Sequence, residues 1–199
     1  MAKGADFERE ICRLLSLWWS KGEDKDIFWR NRTRETKDSG KYQGGDIMSM
    51  KPSGLPLTDR YNIELKTGYN ITKAKGRAIL PWDTLDLIDG KEGGRKMLLL
   101  FWDQCWRDAK LTNRIPLLIF KRHHHDLGLC ITFRTHIGWI RISNDDFSVP
   151  NIRINGCTSE DIILFRLSSY LEWLKPEVVR KEANENTRTN TLVLRTSNR

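Results

Sequence analysis

Residues 63–66 read Ile-Glu-Leu-Lys, and this short run constrains the fold more than any other part of the chain. In a β-strand, alternate side chains point to the same face. Glu64 and Lys66 are therefore predicted to share one face, while Leu65 points into the core from the other. An earlier apolar run begins directly after Asp46. The two runs predict strands that gather two carboxylates and one ammonium at one edge of a sheet.

This combination is what metal-dependent hydrolysis of a phosphodiester requires. Carboxylate oxygens hold Mg²⁺, and the metal activates a water and neutralises the charge that develops on phosphorus. A lysine can orient the water or add positive charge. The alternative is an edge strand whose charges face solvent, because Glu-x-Lys triplets are frequent by chance. The position after a Gly-Gly-Asp strand start, in a basic chain, favours the metal site.

The overall charge points to a polyanionic partner. The chain has 199 residues and a formal net charge of +8, with a pI of about 9.4. This length suits one domain with elaborations and a proper core. Neutralised phosphates release counterions, so a basic balance favours nucleic acid.

The cysteines and the N-terminus predict an intracellular protein. The four cysteines are widely separated and form no CxxC pair, which favours buried thiols in a reducing compartment over a disulfide frame or a zinc site. The first four residues lack the apolar core of a signal peptide. The longest apolar run, 97–102, is too short to span a bilayer. The expected location is the cytoplasm, or the host cytoplasm for a viral protein, with no membrane partner.

Hydrophobic patterning predicts an α/β fold with a small mixed sheet. An amphipathic helix is predicted over 5–20, ending near Gly22. The other elements expected in the first part of the chain are a strand at 27–29, a polar loop at 30–45, strands at 46–50 and 60–67, a turn-rich segment at 52–56, an irregular stretch at 68–94 with a short helix at 82–88, a helix at 95–109 and a strand at 115–120.

The C-terminal part is predicted to pack on this core. Strands are expected at 130–133 and 138–142, followed by a last helix at 159–174 capped by Ser159. A mobile polar tail is expected from Lys181. The predicted organisation is a core over 1–124, C-terminal strands and a helix over 125–180, and the tail over 181–199.

Several motifs taken together resemble the PD-(D/E)xK nuclease superfamily. They are Lys3-Gly4, Glu8-Arg9-Glu10 on the first helix, Asp46, Glu64-Leu65-Lys66, and Arg114-Ile115-Pro116 before a strand. Within the superfamily, the opening is most similar to archaeal-type Holliday junction resolvases, and the resemblance covers residues 3–121. It implies a restriction-endonuclease-like core of helix, three strands, helix and strand, followed here by a C-terminal extension. The residue before Asp46 is Gly45, where the superfamily motif has proline.

The resemblance also implies roles for individual residues. Asp46 and Glu64 would be the principal metal ligands, together with the backbone carbonyl of Leu65, and Lys66 would be the catalytic lysine. Glu8 would act near a second metal or the water. The implied cofactor is Mg²⁺, with Mn²⁺ as a substitute. Glu8 and Glu10 flank the apolar stripe of the first helix on opposite edges, so periodicity does not choose between them.

A basic run ahead of Asp46 is predicted to contact the DNA backbone, with a solvated loop as the alternative. Its members are Arg30, Arg32, Arg34, Lys37 and Lys41. By the resemblance, Arg9 would also lie at the phosphate backbone, and Ser39 would correspond to the serine of a mobile loop in the resolvases. Gln104 lies mid-helix, where several related nucleases carry a glutamine, and Lys121 could touch phosphate. These two are further candidates for the site.

The function expected from these features is Mg²⁺-dependent endonuclease activity on DNA, selective for branched structures. Such an enzyme would serve DNA recombination and repair as a homodimer, because a twofold dimer naturally presents two active sites to two opposed strands. The alternatives are a restriction-like or phage recombination nuclease of the same fold, and a non-catalytic DNA-binding protein that keeps the fold for recognition alone.

Overall fold

The computed structural model describes residues 3–31, 44–67, 97–121, 125–155 and 160–183. Its elements in chain order are α1 (Lys3–Trp19), β1 (Phe28–Arg30), β2 (Ile47–Ser49), a 3-10 turn (Pro52–Gly54), α2 (Leu55–Thr58), β3 (Tyr61–Thr67), α3 (Met97–Leu111), β4 (Ile115–Lys121), β5 (Leu127–Thr132), α4 (Phe133–Ser143), β6 (Asn151–Ile154), β7 (Ile162–Arg166) and α5 (Leu167–Trp173). A last helix, α6, covers residues 176–183. Among the helices of these ranges, none combines the length and apolarity needed to cross a lipid bilayer.

The strands form two sheets. The larger sheet has five strands in the order β3-β4-β5-β7-β6, and β1 and β2 form a separate antiparallel ribbon. β3 and β4 are parallel, with Tyr61 opposite Ile115 and Thr67 opposite Lys121, while every other neighbouring pair in the large sheet is antiparallel. The predicted α/β class with a mixed sheet is confirmed. The predicted C-terminal strand region extends the same sheet that contains β3.

Helices cover both faces of the large sheet. On one face, α1 packs its apolar stripe against alternate residues of β3 and β4, which include Ile63, Leu65 and Leu117. On the other face, α3 packs Trp102 and its apolar neighbours against the intervening residues of β4, β5 and β7. This alternation follows from the period of two in a strand. It places Glu64 and Lys66 on the side of α3.

The first helix ends where the glycine predicted. Lys21 and Gly22 both have positive φ, at 59° and 94°, and the Gly22 N–H donates to the Leu17 carbonyl at 2.7 Å. This is a left-handed helix ending, which glycine adopts without steric cost. The buried hydroxyl of Ser16 accepts from the Phe28 N–H at 2.9 Å and so fastens β1 to α1.

Two predicted elements in the C-terminal half are wrong. Residues 138–142 lie inside helix α4 rather than a strand, and Thr132 caps that helix by accepting from the Thr135 N–H at 3.1 Å. The helix expected over 159–174 is instead strand β7 followed by the short helix α5. The run from Ile162 to Phe165 is buried throughout. A continuous apolar run of this kind suits a strand covered on both faces, and periodicity does not separate it from a buried helix.

The remaining differences are local. The turn-rich segment 52–56 forms the 3-10 turn and the start of α2. The tail predicted from Lys181 starts with three helical residues. The predicted helix at 82–88, the cap Ser159 and residues 184–199 lie outside the described residues.

Candidate active site

Strand β3 brings Glu64 and Lys66 together as its alternation predicts. The Lys66 ammonium lies 2.7 Å from Glu64 Oε1, and the two side chains are 11% and 0% exposed. Leu65 is buried in the core on the opposite face. The alternative of a solvent-facing Glu64 is wrong, because this carboxylate is completely enclosed. The pair is a buried ion pair rather than a surface contact.

Helix α3 supplies a further partner for the same carboxylate. Gln104 Nε2 donates to Glu64 Oε1 at 3.1 Å. One turn earlier along the helix, the ring of Phe101 lies 5.7 Å from the Lys66 ammonium. The sequence-predicted candidate Gln104 is therefore brought to Glu64, and α3 forms one wall of the site.

Asp46 is bound to the outer edge of β3. Its N–H donates to the Ile63 carbonyl at 2.7 Å, and its Oδ2 accepts from the Leu65 N–H at 2.7 Å. In a strand, the backbone groups of successive residues point to opposite edges, so Ile63 and Leu65 share one edge of β3 and β4 takes the other. Asp46 forms hydrogen bonds with two backbone groups on the edge that β4 leaves open, the Ile63 carbonyl through its N–H and the Leu65 N–H through its carboxylate. Its side chain is thereby held at the peptide that follows Glu64.

The buried thiol of Cys12 lies within the influence of both Glu8 and Asp46. Burial, followed by the charges of Glu8 and Asp46, raises the pKa of this thiol from 9.0 to about 12, with the charge of Arg30 opposing them. Glu8 is paired with Arg30. The charges of both Glu8 and Asp46 therefore disfavour the thiolate form of Cys12.

Glu10 occupies a different setting. Its Oε1 lies 3.9 Å from Lys121 Nζ, and these side chains are 56% and 40% exposed. The sequence candidate Lys121 ends β4 opposite Thr67, the last residue of β3, and forms an exposed ion pair with Glu10. Glu8 and Glu10 therefore have different cationic partners, and the choice of Glu8 as the site residue stays a prediction of the resemblance.

Burial disfavours the reactive thiolate form of the cysteine beside Glu64. Cys105 is fully buried, and its Sγ contacts the Asn62 carbonyl at 3.8 Å. Burial, with the Glu64 charge as a second cause, raises the pKa of Cys105 far above its ordinary value. A neutral thiol has little nucleophilic reactivity. The carboxylates and the lysine remain the predicted site residues of this face.

The predicted DNA-contacting residues are only partly described. Arg9 pairs with Asp6, and Arg30 pairs with Glu8. The other members of the basic run, and Ser39, lie outside the described residues; these are Arg32, Arg34, Lys37 and Lys41.

The donor set suits a sparsely coordinated cation. Within residues 3–31, 44–67, 97–121, 125–155 and 160–183, no group of three or more His, Cys, Asp or Glu side chains is gathered as a metal cluster. Mg²⁺ commonly keeps several waters and binds through one or two carboxylates together with substrate phosphate. Asp46 and Glu64 are the two carboxylates that the resemblance assigns to such a cation, with the Leu65 carbonyl as the implied backbone ligand, and this assignment stays a prediction.

Sequence reasoning missed two side chains that hold the turn before β2. Asn31 Nδ2 donates to the Gly45 carbonyl at 3.1 Å, and Arg114 donates to the Gly44 carbonyl at 3.3 Å. Gly45 has φ of +86°. Proline is restricted to φ near −65°, so this conformation explains why the chain lacks proline before Asp46. The paired glycines were the sequence signal for a tightly held turn.

Comparisons of the chain with protein-family models, curated proteins and solved structures find no match.

Proposed function

We propose that the chain is a Mg²⁺-dependent DNA endonuclease that hydrolyses phosphodiester bonds. The observation that carries the proposal is the completely buried carboxylate of Glu64, shared by Lys66 and Gln104 and adjacent to Asp46 on the edge of β3. Removing charges from water is costly, and an ion pair of good geometry often only offsets that cost. Buried charges gathered with other polar groups are therefore candidates for function.

Each side chain has a role in this proposal. Asp46 and Glu64 would hold the cation together with a phosphate oxygen of the substrate, which requires the enclosed Glu64 carboxylate to become accessible when the cation and DNA bind. When bound, Mg²⁺ would lower the pKa of a water and offset charge in the transition state. Gln104 would keep the Glu64 carboxylate in one orientation through its 3.1 Å hydrogen bond. The Lys66 ammonium would donate to the developing negative charge.

The nature of the substrate rests on charge and on the resemblance. A net charge of +8 supports a polyanion such as DNA. Selectivity for branched DNA and action as a homodimer are supported by the resolvase-like opening, Lys3-Gly4 followed by Glu8-Arg9-Glu10.

The test compares three charge-removing variants. Glu64→Gln and Asp46→Asn keep oxygen acceptors for their hydrogen bonds but remove the ligand charge, so cleavage is expected to fall by roughly 10²-fold or more. DNA binding should persist or tighten, because the carboxylate no longer repels phosphate. Glu10→Gln makes the same chemical change at an exposed residue and should retain activity. Labelled four-way junction, linear duplex and single strand are each assayed with and without Mg²⁺.

The outcomes separate the alternatives. Wild-type cleavage rates in Glu64→Gln or Asp46→Asn would show that the site is misassigned. DNA binding by the wild-type protein without cleavage in Mg²⁺ or Mn²⁺ would favour the non-catalytic DNA-binding protein. Tight junction binding with two symmetry-related nicks would support a resolvase. Equal affinity for junction and duplex, with scattered or sequence-fixed cuts, would instead support a nuclease that is not selective for branched DNA.

A further inference from the structure

The segment entering β2 is held from several sides before it reaches Asp46. Arg114 binds the Gly44 carbonyl at 3.3 Å, and Asn31 binds the Gly45 carbonyl at 3.1 Å. The Asn31 N–H also donates to the carbonyl of Asp46 at 2.8 Å. Three successive carbonyl groups of this segment are thus bound by two residues from other parts of the chain.

The packing around the two glycines is too tight for other residues. A Cβ at Gly44 would collide with Asn62 Oδ1 and would lie 2.8 Å from Thr112 Cγ2. A Cβ at Gly45 would lie 3.0 Å from the backbone nitrogen and oxygen of Ile63. Glycine permits both the close approach and the positive φ at position 45. The segment therefore has little freedom to move relative to β3.

The position of Arg114 is itself determined by two elements. Asn113, with φ of +53°, turns the chain at the end of α3, and the Arg114 N–H donates to the Ala109 carbonyl at 2.9 Å. The next N–H, that of Ile115, donates to the Arg60 carbonyl at 2.9 Å and begins the pairing of β4 with β3. Arg114 therefore connects the α3–β4 junction to the segment that carries Asp46.

We infer that Arg114, together with Asn31, is a positioning residue that holds Asp46 in register with β3. This inference rests on the proposed function for its consequence, because Asp46 is the proposed metal ligand. The guanidinium fixes the Gly44 carbonyl, and the rigid turn then delivers the Asp46 carboxylate to the Leu65 N–H. Residues that orient metal ligands commonly contribute 10–100-fold to metal affinity or activity. Arg114 touches neither metal nor substrate in this scheme.

The first readout is hydrogen exchange in the full-length protein without metal or DNA. Arg114→Ala should release the turn, so the amides of Asp46 and Leu65 should exchange about ten times faster or more through local opening. Amides in the central strand β5 should be unchanged. Arg107→Ala is the matched control, because it removes the same charge from an exposed residue of α3 whose Nε contacts only its own helix, at the Asp103 carbonyl, within the described part of the chain.

The second readout is Mn²⁺ binding measured by calorimetry in the absence of DNA. Arg114→Ala should weaken Mn²⁺ binding by about ten-fold or more, and Arg107→Ala should not change it. Arg114→Lys keeps a charged donor but loses the planar guanidinium, so its affinity should lie between those of Arg114→Ala and the wild type. Asp46→Asn provides the reference for loss of the ligand itself.

The inference is overturned if the Leu65 amide exchanges at the same rate in Arg114→Ala as in the wild type. It is also overturned if Arg114→Ala accelerates exchange equally at all protected amides, because that would mean a purely global effect on stability. It is also overturned if Asp46→Asn weakens Mn²⁺ binding while Arg114→Ala does not. A wild-type protein that binds no Mn²⁺ would instead remove the proposed metal site, and the exchange data alone would then decide whether Arg114 positions Asp46.

Discussion

Replacing Lys66 by methionine tests whether the enclosed carboxylate depends on its lysine. The substitution preserves much of the side-chain volume and removes the ammonium that lies 2.7 Å from Glu64 Oε1. Glu64 is completely buried, so its charge would remain in a low-dielectric interior without its cation. Breaking a buried pair in this way costs about 3–5 kcal/mol of the free energy of unfolding. In a chain of this size, that corresponds to a fall in Tm of roughly 6–20 °C.

Two further variants make the measurement specific. The Glu64→Gln/Lys66→Met double variant has no buried charge at the site, so it should recover most of the stability that Lys66→Met loses. Lys121→Met applies the same substitution to an exposed pair, in which Nζ lies 3.9 Å from Glu10. Exposed pairs contribute about 0–1 kcal/mol. Urea unfolding at neutral pH, followed by circular dichroism, gives the free energy of unfolding for each variant.

Two results would contradict this prediction for Lys66→Met. If Lys66→Met loses no more stability than Lys121→Met, Glu64 is adequately solvated without its lysine. If the double variant is as unstable as Lys66→Met, the loss comes from side-chain packing rather than from the uncompensated charge.

Two other predictions concern the C-terminal half. Burial among aromatic rings lowers the pKa of His136 from 6.5 to about 4, so the free energy of unfolding is highest above pH 6.5 and falls as the pH falls toward 4. The free energy of unfolding should fall by up to about 3 kcal/mol over this pH window. Curves of Tm against pH that run parallel for wild type and His136→Gln would contradict this prediction. Glu182→Ala removes the acceptor of the Tyr61 hydroxyl and one of two acceptors of Trp139 Nε1, which lies 3.1 Å from Glu182 Oε2 and 3.0 Å from the Tyr61 hydroxyl. This variant should lower the free energy of unfolding, measured in urea, by about 1–3 kcal/mol. Glu172→Ala, at an exposed residue, should change it little. Equal losses in the two variants would refute the prediction.

Sequence periodicity identified the elements whose two sides differ. Helix α1 carries one apolar stripe, and β3 alternates charged and apolar residues after Asn62, so each pattern indicates which face is buried. The shared face of Glu64 and Lys66 followed directly from that alternation. The run at 162–165 is apolar on every side, and it became a strand because β5 and β6 pair with its two edges. The four apolar residues of this run do not by themselves specify that β5 and β6 are the strands that pair with it.

The arrangement of the candidate site depended on the tertiary structure for the same reason. Local pattern specifies the direction of a side chain, but not which distant segment satisfies the free edge of a strand. Asp46 occupies the edge of β3 because the glycine turn is held by Asn31 and Arg114, which are far apart in sequence. The enclosure of Glu64 likewise requires β3 and α3 to pack together. The sequence by itself thus determined which chemical groups share a face of β3, and the packing of distant segments decided which groups meet there.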